Sequence, residues 1–84
     1  MSVAPPMSRA YGEIVDLLAA GPSPQQLAQF RPSHQAQARV RVLLDKNRSG
    51  TLTPEESAEL DQYAHIEHLM RLVKARARQR LVQQ

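Results

Sequence analysis

The chain has no cysteine and no tryptophan in its 84 residues. The first absence removes disulfides, thiolate metal sites and thiol nucleophiles together. Two Tyr and one Phe are the only aromatic residues, too few to supply the stacking platforms on which proteins hold unpaired bases. No apolar run nears the roughly 20 residues that a membrane-spanning helix requires. The opening "MSVAPPMSRAYGE" has no basic stretch followed by an apolar core, so no signal peptide is read there. The expectation is a cytoplasmic protein with no membrane association. Glycine is rare, three in all, and none sits in a Gly-rich phosphate loop. No Ser/His/Asp grouping has the order or local motif of a nucleophilic site. An enzyme is not expected, and no cofactor is called for.

What the chain does have is helix-forming sequence with clear punctuation, and charge sorted into blocks. A chain this short makes one small domain, which buries a modest share of its surface. Helices in so small a fold gain stability from a protein partner or a second copy, and a homodimer through the longest helix is one expectation. Net charge is +3, but its distribution says more. Residues 31–48 hold Arg31, Arg39, Arg41, Lys46 and Arg48 against Asp45 alone. Residues 53–70 hold Glu55, Glu56, Glu59, Asp61 and Glu67, and residues 71–84 hold Arg71, Lys74, Arg76, Arg78 and Arg80 with no acid. An acidic block precedes a basic tail.

Periodicity predicts an all-α fold with no strand and no internal repeat. Residues 1–7, with Pro5 and Pro6, read as a flexible N-terminus. Tyr11, Ile14, Val15 and Leu18 form the apolar stripe of an N-terminal helix over about 8–20, stopped by Gly21 and Pro22. "SPQQLAQF" gives a short helical turn over 24–30, with Ser23 as N-cap, Pro24 at the first position and Gln26 closing a capping box. Two further helices, about 34–47 and 54–80, then form a long helical hairpin. Residues 8–80 make a single helical domain and 81–84 a frayed C-terminus. The expected core is Ile14, Leu18, Leu27, Phe30, Val40, Leu44, Leu52, Leu60, Tyr63, Ile66, Met70 and Val73. The last helix, at 1.5 Å per residue, spans roughly 40 Å, so its end is expected to project beyond the fold.

The stretch "LLDKNRSGTLTPEES" (43–57) supports two readings. As a calcium loop, Asp45, Asn47 and Ser49 take chelating positions 1, 3 and 5, Gly50 the turn, Thr51 the carbonyl position and Glu56 the bidentate twelfth. A hard cation favours such a set of oxygens. Against it, Lys46 and Arg48 place two positive charges inside the loop, and the chain offers no second, paired loop. The other reading needs no ion. Gly50 ends one helix, Thr53 caps the next, Pro54 takes its first position and Glu56 completes a capping box. Helix punctuation is the favoured reading.

His65, His68 and Asp61 share one side of the long helix, a spacing at which imidazoles can meet a zinc ion. No fourth ligand accompanies them, so interface histidines are the favoured reading. The strongest remaining signal is "RLVKARARQRLVQQ". Leu72, Val73, Ala77 and Leu81 make an apolar strip with Arg71, Lys74, Arg76, Arg78 and Arg80 around it, and the partner-binding candidates are these cations with Leu69, Leu72 and Val73. A helix dipole accounts for a few cations near a C-terminus, but five without an acid exceed that need. They suit an acidic protein surface or phosphate. The helix is too long for a compact DNA-recognition helix, so nucleic acid is the less favoured partner.

With "GPSPQQLAQFRPS", "RVRVLLDKNRSGTLTPEE" and "AELDQYAHIEHLMRLVKARAR" in view, the chain resembles a family of small bacterial proteins of unknown function, frequent in cyanobacteria. Its members share a "KNxxGTLTPEE" centre and an "EHLMRLxKARAR" end. The resemblance covers Gly21 to Ser33, Arg39 to Glu56 and Ala58 to Arg78. It implies a gene beside an HNH-type nuclease gene, and hence an antitoxin-like or accessory protein with that nuclease or toxin as partner. It brings no catalytic residues. Members often carry Glu at the position of Asp45, which suits a helix terminus better than a chelating loop.

Overall fold

A computed structural model describes residues 8–83. Four helices follow one another: α1 (Arg9–Ala19), α2 (Pro24–Gln29), α3 (His34–Ser49) and α4 (Pro54–Val82). No strand occurs among the described residues, so the protein is all-α, as periodicity predicts. No helix among them is long and apolar enough to cross a membrane. The reading of 1–7 as flexible falls outside the described residues.

Each helix begins on a side chain suited to satisfy its free N–H groups. Ser8, Ser23, Ser33 and Thr53 accept from Tyr11, Gln26, Ala36 and Glu56 respectively. At α2 and α4 the third helical residue, Gln26 or Glu56, returns the bond to the cap's own N–H. Gly50 ends α3 in the left-handed region at φ 71°, and the Thr51 N–H reaches back to the Lys46 carbonyl at 2.9 Å.

Helix α4 is the spine. Its 29 residues run about 43 Å at 1.5 Å each, against a longest molecular dimension of 48 Å. Helix α3 returns along its first half as the second arm of a hairpin, tied by Lys46–Glu56 at 2.6 Å and Arg39–Glu59 at 2.9 Å. Helix α1 advances beside α4: the Ser8 N–H donates to Gln62 at 2.7 Å, and Ile14 packs against Ile66 and Met70. Helix α2 makes the broadest contact with α4, setting Pro24 and Leu27 by Leu72, Val73 and Ala77. The far half of α4 is thus partly covered by its own chain. Helix α4 is backed by α2 as far as Ala77 and continues to Val82, and the described residues beyond Ala77 are exposed.

The core is smaller than the apolar pattern implies. Ile14, Ile66 and Met70 form its centre, with Tyr11, Leu17, Phe30 and Val73 packed around them. A second buried patch joins Ala10, Ala36 and Leu43. Leu18 and Leu44, expected inside, are each 44% exposed, because Ala10 and Ile14 on α1 and Ala36 and Leu43 on α3 are the residues that turn inward.

Candidate interaction surface on the long helix

The residues expected to bind a partner divide into two flanks of α4. At 100° per residue, Arg71, Lys74 and Arg78 line up on one side, and Leu69, Leu72 and Arg76 on the other. Val73 points between them into the core. Two grooves follow these flanks. One is lined by Phe30, Pro32, Tyr63, Met70, Arg71 and Lys74. The other runs between α2 and α4 over Pro24, Leu27, Leu72 and Ala77, with Arg76 and Arg80 at its edge.

Electrostatics separates the two ends of the molecule. Two acids of the hairpin end are matched within the chain: Glu59 receives a two-pronged Arg39 and Glu56 receives Lys46. The Lys46 ammonium, with the Thr53 N–H, holds the Glu56 carboxyl down to about 2. The Glu59 carboxylate bonding Arg39 raises that guanidinium above its ordinary value. Burial works to raise Glu13, but the Ser33 hydroxyl and N–H, with Arg9, bring it below the ordinary carboxylate value. That Glu13–Ser33 clasp fixes the start of α3 to α1. Along the basic end Arg71 alone, among the described residues, finds an acid, Glu67. Burial, then the neighbouring Glu67, pushes the Tyr63 hydroxyl up. Lys74, Arg76, Arg78 and Arg80 make no ion pair among the described residues.

The residues of the alternative calcium loop lie at the end of α3 and the start of α4. Helix α3 continues through Ser49, so Asp45, Asn47 and Ser49 occupy its last turn rather than a loop folded round a centre. Asp45 pairs with Arg48, and the Ser49 hydroxyl donates to the Asp45 carbonyl at 2.8 Å. Thr51 donates to the Lys46 carbonyl. Both oxygens of Glu56 are engaged, one by Lys46 and one by Thr53. His65, His68 and Asp61 are exposed, and no cluster of three metal-ligating side chains occurs among the described residues. No family model, curated protein or solved structure matches the chain.

Sequence reasoning missed Phe30, Pro32 and Tyr63 as companions of the cations. The groove they form with Arg71 and Lys74 joins segments more than thirty residues apart in the chain. Their available signal was one aromatic residue beside a proline break, which also describes ordinary core.

Proposed function

We propose that this chain is a non-enzymatic protein-interaction module, antitoxin-like or accessory to a neighbouring nuclease. Its basic flank of α4 receives an acidic segment of the partner. The observation that carries the reading is the run of unpaired cations, Lys74 and Arg78 foremost, beside the apolar groove of Phe30, Pro32, Tyr63 and Met70. Charges aligned along a helix steer an acidic partner into contact, and the groove supplies the desolvated anchor that fixes it. Duplex DNA is disfavoured by the same geometry. One side of the basic half of α4 is occupied by α2, so the helix does not present a full recognition face to a major groove.

Calorimetric titration of the full chain with the product of the adjacent gene tests this directly. The wild type is expected to bind, and the variant carrying Arg71→Glu, Lys74→Glu and Arg78→Glu to bind roughly tenfold or more weakly. These side chains face water or the groove rim, so helicity should be unchanged. Equal affinity of the two proteins removes the proposal. Tight binding to a mixed-sequence DNA duplex, with affinity falling steeply as salt rises, would move the same flank to nucleic acid.

A further inference from the structure

The flank of α4 opposite the proposed partner groove carries a second surface. Leu69 is 45% and Leu72 54% exposed, side by side at one helical turn, with Leu72 at the rim of the groove between α2 and α4. His65 stands one turn before and Arg76 one turn after, both exposed. The charge along the helix changes sign at this leucine pair. On this flank Asp61 precedes it, and Arg76 and Arg80 follow.

We infer that this flank pairs with a second copy of the chain, the two α4 helices running antiparallel and centred between Leu69 and Leu72. Self-complementarity identifies the occupant. On this flank a parallel alignment sets Arg80 against Arg80, whereas an antiparallel one can set each Arg80 against the Asp61 of the other copy. Asp61 lies eight residues before Leu69, and Arg80 lies eight residues after Leu72. Matching Leu69 of one copy with Leu72 of the other therefore brings Asp61 level with Arg80 at both ends of the contact. The same register closes four leucines over the two-fold axis, the apolar centre that a stable pair requires. Arg80, which makes no ion pair among the described residues, gains an acid from the second copy, and Arg76 comes level with His65. This surface shares no cation with the proposed partner flank, so the two readings stand or fall separately.

Sedimentation equilibrium of the full chain is expected to give twice the 9.4 kDa of one copy. Leu69→Glu with Leu72→Glu should weaken association by about a hundredfold while leaving the circular dichroism of the fold intact. The absence of cysteine allows the direction to be read chemically. Asp61→Cys protein mixed with Arg80→Cys protein should cross-link on oxidation, and Asp61→Cys alone should not. A wild type that is monomeric at about 0.5 mM, a dimer that survives the double Glu variant, or self-cross-linking of Asp61→Cys each overturns the inference.

Discussion

At Glu56 one carboxylate serves two purposes: it closes the capping box of α4 and ties that helix to Lys46 of α3. Its folded-state pKa of about 2 lies below the ordinary 4.5. The ionised group therefore contributes stability above the ordinary value, and that contribution is lost as pH falls through about 2. Thermal unfolding followed from about pH 5 to pH 2 should show a falling midpoint in the wild type. In Glu56→Gln, which keeps an oxygen for the Thr53 N–H, the fall should flatten. At Gly50 the issue is backbone shape. A Cβ added there meets nothing within 4 Å, yet φ is 71°. Gly50→Ala should therefore cost about 1 kcal/mol through conformation alone, and Gly50→Asn less. Urea unfolding at neutral pH checks both. This punctuation was readable beforehand because Gly50, Thr53, Pro54 and Glu56 act within a few residues of one another. The Glu13–Ser33 clasp was not, since its partners stand twenty residues apart.

Among the elements, α4 decides how the others are held. Its inward positions Val73 and Ala77 support α2, while Arg71, Lys74 and Arg78 turn outward from the same turns. Removing everything after Met70 is therefore expected to destabilise the fold as well as delete the basic flank. Far-ultraviolet circular dichroism should register more helix lost than the deleted residues account for, with the residues of α2 melting too. Helix number and approximate limits followed from caps and spacing. The crossings did not. Ala10, Ala36 and Ala77 are buried because helices approach most closely where side chains are small, with Ala77 only 3% exposed. A pattern ranked by apolar bulk favours Leu18 and Leu44 instead. The division of the cationic segment into two flanks follows from helical spacing, but treating it as one basic tail conceals it.

The molecule as a whole is a slab of 48 × 34 × 19 Å, about two helix diameters thick. In so thin a body nearly every helix keeps one face in water, and this leaves Leu69 and Leu72 uncovered. The division between an acid-rich hairpin end and a basic far end was visible as blocks in the sequence. That Glu56 and Glu59 of the hairpin are paired internally, while Lys74, Arg76, Arg78 and Arg80 make no ion pair among the described residues, depended on which helices meet. Helix α2 has six residues, too few to persist as an isolated helix. Its order is borrowed from the last turns of α4. Unwinding of that terminus and release of α2 should accordingly be one opening event. In native-state deuterium exchange, amides of 24–29 and of 73–82 should lose protection together, ahead of Ile66 and Leu43. Any contact that clamps the end of α4 would then slow exchange in a segment some fifty residues earlier in the chain.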